Sequence, residues 1–243
     1  MAAEPPRAIE KLTSSRMVSW PSGLVTFLVN DCTLSREWAS AMTVRVSIIL
    51  WLMLAAHRCL AAEPTIVVIG DSLSSGYGLG AAPSWVAILE GHLAEEAYEY
   101  AVVNASIAGD TSTGGLNRLP RLLERHEPAI VIIEIGGNDG LRGQSVRLLR
   151  ENLARMIELV IENGARPLLT GIQIPPNLGP AYTEQFAAVY PELAERYDIP
   201  LVDFLMDGIA LDSTRMQPDR MHPNARGQQP MFENVWAVLV DLL

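Results

Sequence analysis

The sequence predicts an α/β fold: three layers, α/β/α, around a five-stranded parallel sheet in the flavodoxin-like order 2-1-3-4-5. Two observations predict it. Five short apolar or β-branched runs stand at 65–69 (TIVVI), 99–103 (EYAVV), 129–135 (AIVIIEI), 166–170 (RPLLT) and 199–204 (IPLVDF). Between them, apolar residues recur at helical spacing. Strands buried on both faces and separated by helices pair in parallel with helices on either side, and right-handed crossovers leave few topologies.

The first run leads into Gly70-Asp71-Ser72 and a Ser/Gly-rich loop, "SSGYGLG". Trp85, Ile88, Leu89 and Leu93 then mark a helix. The second run precedes "NASIAGDTS" (104–112), and the third ends in "GGNDGLRG" (136–143). Leu149, Leu153, Met156, Ile157 and Val160 mark another helix. After the fourth run comes a Pro/Gly-containing loop near 173–182, "QIPPNLGPAY". The last helix is expected over 230–242, with Phe232, Val235, Trp236 and Leu239 inward. In the predicted order strand 1 lies between strands 2 and 3, so the loops after all three open at one carboxyl edge. Ligands of open α/β sheets bind there.

Composition narrows the function classes. Residues 63–243 hold 24 Asp and Glu against 12 Arg and no Lys, a formal charge of −12. Such a domain repels nucleic acid and anionic lipid surfaces. Lys11 is the only lysine in the chain, which excludes a P-loop. Cys32 and Cys59 both precede residue 63, leaving the domain without a disulfide, a thiolate metal ligand or a cysteine nucleophile.

The first sixty residues read differently. Val46–Ala56 ("VSIILWLMLAA") is an apolar run too short to span a bilayer, with Arg45 before it and "CLAAEP" after it. Residues 42–62 are therefore expected to be a secretory signal, beginning at Met42 and cut after Ala61 or Ala62. Residues 1–41 are expected to be either a mis-called start, preceding the true one at Met42, or an N-terminal extension that the run at 46–56 would anchor. The catalytic domain is then 63–243, periplasmic or secreted, monomeric and without a membrane span.

An alcohol nucleophile needs a base, and the base needs an orienting acceptor. Ser72, at the end of the first strand, is the candidate nucleophile. Of three histidines in 63–243, His92 is expected on a solvated helix face and His126 at a helix end. His222 sits in "PDRMHPN". Pro223 keeps it out of the α region, and Asp219, three residues back, can take the Nδ1–H and leave Nε2 free. Oxyanion donors are expected from the Ser72 N–H, the Gly109 N–H and the Asn138 amide. Taken singly, Gly109 and Asn138 read equally well as turn residues. Asp71 reads as structural, bonding loop N–H groups. Neither a G-x-S-x-G elbow nor a dinucleotide fingerprint is present: Ser74 occupies the last glycine position of the first, and the glycines fall too far after the strand for the second.

Together, "GDSLS" (70–74), the glycine of "IAGDTS", "GGND" (136–139) and "DRMHPN" (219–224) resemble the four motif blocks of the SGNH (GDSL) hydrolases, in the right order and over nearly all of 64–240. The chain is especially similar to the periplasmic group that includes acyl-CoA thioesterase I, lysophospholipase and arylesterase. The resemblance implies Ser72, Gly109, Asn138 and His222 as catalytic residues, with Asp219 completing the triad. It also implies a cofactor-free hydrolase for small acyl esters or thioesters. Apolar Leu141, Ile174, Pro175 and Pro176 are expected to meet the acyl chain. The rival reading is a non-catalytic module holding a small anion or carbohydrate on the same fold.

Overall fold

The computed structural model describes residues 63–243, so the expected leader at 42–62 and the extension at 1–41 lie outside the described residues. The strands are β1 (Thr65–Gly70), β2 (Ala101–Asn104), β3 (Ile130–Glu134), β4 (Arg166–Thr170) and β5 (Leu201–Val202), all parallel in the order 2-1-3-4-5. The helices are α1 (Trp85–Glu95), α2 (Ser112–His126), α3 (Gly137–Leu141), α4 (Val146–Glu162), α5 (Pro180–Tyr197) and α6 (Ala225–Leu239), with a closing 3-10 turn at Val240–Leu242.

The period of two along each strand divides the core into two layers. Val67, Ile69, Val131 and Ile133 face α2, α4 and α5, while Ile66, Val68, Ile130 and Ile132 face α1 and α6. All eight are fully buried. At roughly 1.5–3 kcal/mol per buried aliphatic side chain, these central strands anchor the fold. The register pairs Gly70 with Glu134, setting the ends of β1 and β3 side by side.

Three boundaries differ from expectation. β5 spans two residues, because only Leu201 and Val202 pair with β4 and the chain then turns against Gly171, whose N–H donates to Val202 O and whose O accepts from Leu205 N. The loop expected to reach residue 182 stops earlier, since Pro180 sits in the first turn of α5, where its missing N–H has no helical role. The last helix starts at Ala225, capped by Asn224 accepting from Arg226 N. A proline six positions in (Pro230) hides that start from a sequence reading. His92 is half-buried rather than solvated, its ring edge-on to Phe232 and Trp236 at centroid distances of 5.1 and 4.4 Å.

Candidate active site

Three loops at the carboxyl edge and one segment before α6 converge. Ser72 follows β1 in a tight turn closed by the Ser75 N–H on Asp71 O at 3.0 Å. Gly70, just before it, must lack a side chain: a Cβ there would lie 2.6 Å from Glu134 Oε2 and 2.9 Å from Ser74 Cβ. Glycine lets the turn close onto β3.

His222 comes from the segment between β5 and α6. An isolated antiparallel bridge between Met216 and Pro223 shapes it, with Gln217 N donating to His222 O at 2.7 Å. The Gln217 amide also donates to Tyr77 O at 2.9 Å, tying this segment to the serine loop. Across that tie His222 Nε2 lies 2.8 Å from Ser72 Oγ, and His222 Nδ1 lies 2.7 Å from Asp219 Oδ2. Asp219 Oδ1 accepts from the N–H groups of Met221 and His222 at 3.0 and 3.1 Å. Partial burial would raise the Asp219 carboxyl, but the hydrogen bond from His222 and the two backbone donors outweigh it and hold it at about 2. The Tyr77 ring packs at 4.7 Å from the imidazole and limits its swing.

The structure thus joins Ser72, His222 and Asp219 in one hydrogen-bonded chain, in the geometry a base-activated alcohol requires. Asn138, in the first turn of α3, donates one amide N–H to Asp71 Oδ2 at 3.1 Å. Asp71 Oδ1 accepts from Leu73 N at 3.1 Å, so this carboxylate does bond loop N–H groups. Gly109 has φ +82°, a conformation glycine adopts without strain, and its O accepts from Arg142 at 3.1 Å. Among the described residues neither the Ser72 nor the Gly109 N–H has a hydrogen-bond partner; Ser72 lines the cavity, whereas Gly109 is not among its lining residues.

Ser72, Asn138 and His222 open on a cavity of about 1050 Å³. Leu141, Ile174, Pro175 and Pro176 are among the residues that line it. Its lining also includes Phe204, Met206, Ile209 and Met216, which belong to no motif and are missed by a sequence reading.

Sequence reasoning also misses the residues that brace the loops. Arg118 of α2 bonds Asp110 Oδ2 at 2.7 Å, Gly70 O at 3.2 Å and Ala105 O, joining the loops after β1 and β2. Asp139 takes the Ser112 N–H and hydroxyl at 2.8 and 2.5 Å, fixing the start of α2 against α3. Glu134, fully buried at the end of β3, accepts from Ser74 Oγ at 2.6 Å and Asp71 N at 3.3 Å. The only signals were a charged residue inside an apolar run for Glu134 and, for Asp139, its place at the end of the "GGND" block.

A profile of the GDSL-like Lipase/Acylhydrolase family matches residues 68–229. The chain belongs to this family. Esterase TesA of Pseudomonas aeruginosa is 49% identical to this GDSL protein over 183 residues, 75% of this chain and 91% of the other. Thioesterase 1/protease 1/lysophospholipase L1 of Escherichia coli K12 is 44% identical, over 75% of this chain and 86% of its own length. A crystal structure of TesA matches with a TM-score of 0.72 at 49% identity, covering 74% of this chain and 99% of that one. The GDSL protein is therefore an enzyme of the esterase/thioesterase type, and the reading as a non-catalytic binding module is set aside.

Proposed function

We propose that this enzyme is an exported serine hydrolase that cleaves carboxylic esters or thioesters through an acyl-enzyme. The observation that carries the reading is the Ser72–His222–Asp219 chain, at 2.8 and 2.7 Å, at the mouth of an apolar-walled cavity. Ser72 Oγ attacks the acyl carbonyl as its proton passes to His222 Nε2. Asp219 keeps the other ring nitrogen protonated and stabilises the imidazolium. The oxyanion is held by the N–H groups of Ser72 and Gly109 and the Asn138 amide. Collapse expels the leaving alcohol or thiol, which takes the proton from His222. Water then repeats the sequence on the acyl-Ser72 ester, returning free enzyme and the carboxylic acid.

The cavity is at the upper end of the roughly 300–1,000 Å³ of small-molecule sites. With Ile172, Phe204, Met206 and Ile209 in its walls, it favours a medium or long acyl chain over acetyl. A fluorophosphonate is expected to label Ser72, and rates on p-nitrophenyl esters to rise from acetyl toward longer chains. EDTA is expected to have no effect. Labelling at another serine would overturn the mechanism, and an acetyl optimum would overturn the chain-length reading. Export is tested by N-terminal sequencing of the extracytoplasmic protein: a start near Glu63 supports it, and a start upstream of Val46 defeats it.

A further inference from the structure

Beneath the oxyanion donors lie two carboxyl groups that the proposed mechanism does not use. Asp71 and Glu134 end adjacent strands; Asp71 is 2% exposed and Glu134 not at all. Glu134 Oε2 takes both of its donors, Ser74 Oγ–H and Asp71 N–H, while Oε1 is buried without a partner among the described residues. A bare buried carboxylate oxygen is costly, and a second charge beside Asp71 would cost more. Burial and the neighbouring Asp71 charge push the Glu134 carboxyl well above the usual carboxylate range. Asp71, with one donor on each oxygen, is the member of the pair better placed to hold a charge.

Both Asp71 oxygens are committed as acceptors: Oδ1 to the Leu73 N–H and Oδ2 to the Asn138 amide. Gly137 leaves room for that contact, since a Cβ there would lie 3.1 Å from Oδ2. A proton arriving on Asp71 removes the negative charge that strengthens both bonds, and a protonated Oδ2 becomes a donor, for which the Asn138 N–H is the wrong partner. The Leu73 N–H is fixed by the backbone, whereas Asn138 can rotate about its side-chain bonds.

We propose that Asp71 is a positioning residue for the oxyanion site: as a carboxylate it holds one Asn138 N–H so that the other faces the substrate carbonyl, and a proton taken up by the Asp71–Glu134 pair lets that amide go. This inference rests on the role given to Asn138 above. Burial first, and then the nearby Asp110, push Asp71 up, and the Leu73, Asn138 and His222 groups pull it down; the outcome is about 6. The other groups around the pair are Arg118 of α2, on Gly70 O, and Tyr190 of α5, whose hydroxyl stays neutral above its ordinary range.

Two protons then switch the enzyme off in acid, one on His222 and one on Asp71. The test is kcat and KM for an uncharged soluble ester from about pH 4 to about pH 9, with activity recovered on return to neutral pH. The acid limb of log kcat/KM is expected to fall with a slope near two. In Asp71→Asn the slope drops to one, and the plateau kcat falls about 10²-fold with KM within about twofold. Should Asp71→Asn not fold, Asn138→Gly serves, because without the amide the Asp71 proton no longer matters and the slope is again one. A wild-type slope of one, or a slope of two that survives in the variant, overturns the proposal. Fluorophosphonate labelling of the same samples separates the two readings. A labelled Ser72 with a slope of one removes only the Asp71 role, and an unlabelled Ser72 removes the serine-hydrolase reading itself.

Discussion

Asn138 shows how much a single side chain is asked to do. One amide N–H is spent on Asp71, and in the proposed mechanism the other serves the oxyanion, a use that strengthens only as negative charge develops. Asn138→Ala is therefore expected to lose about 10²–10³ in kcat with KM nearly unchanged. Asn138→Gly discriminates further. If the residue served only the turn, glycine would be nearly wild type; as an oxyanion donor, both variants must be slow at near-wild-type Tm. An active Asn138→Gly enzyme would remove the residue from the site. Ser72, Asp219 and His222 were legible as candidates because each chemistry needs its own residue type at a strand end or beside a proline. Arg118 and Gln217 were not, since an arginine or glutamine far along the chain gives no hint of which carbonyl it will meet.

At the scale of elements, the site depends on holding separate loops in register. Arg118 reaches three acceptors from one planar head, two backbone carbonyls and Asp110. Lysine has one compact ammonium and no fork, so Arg118→Lys is expected to fall short of wild type. Leaving Asp110 and a half-buried carbonyl poorly paired should cost about 1–3 kcal/mol in stability, and kcat should fall as the Gly109 loop loosens from Ser72. Thermal melts and steady-state kinetics on the one variant check both. A wild-type kcat in Arg118→Lys would mean the loops keep their places without it. The five strands and their order were readable because apolar runs and crossover handedness constrain them strongly. The ends of β5 and the starts of α5 and α6 were not, because tertiary contacts at Gly171 and prolines inside helices set them.

For the whole molecule, two carboxyls give stability opposite dependences on pH. Asp219, held at about 2, contributes stability above its usual range near 4 that is lost as pH falls through about 2. Asp71, raised to about 6, contributes in the other sense: its favourable term is full below about 4 and is lost as pH rises through about 6. A shift of that size is on the order of 3 kcal/mol, or several degrees of Tm for a domain of this length. The Tm of Asp71→Asn, relative to wild type, is expected to climb between about pH 4 and about pH 6 and then level off. A constant difference across that window would show that burying Asp71 costs the fold nothing.

The segment from Asp203 to Asn224 carries two of the three triad candidates and many of the residues that line the cavity, yet it holds no strand or helix and only one isolated bridge. The candidate base, His222, thus sits in a segment without regular backbone pairing, whereas the candidate nucleophile, Ser72, follows directly on a strand of the buried sheet. Native-state hydrogen exchange should find this segment opening on its own, with amides 215–222 exchanging well ahead of those in β1 and β3. On warming, turnover should then fade while the sheet is still intact and return on cooling, so that the enzyme's working ceiling is set by a cooperative unit of about twenty residues. Protection of those amides equal to that of β1 would instead make loss of activity and loss of fold a single event.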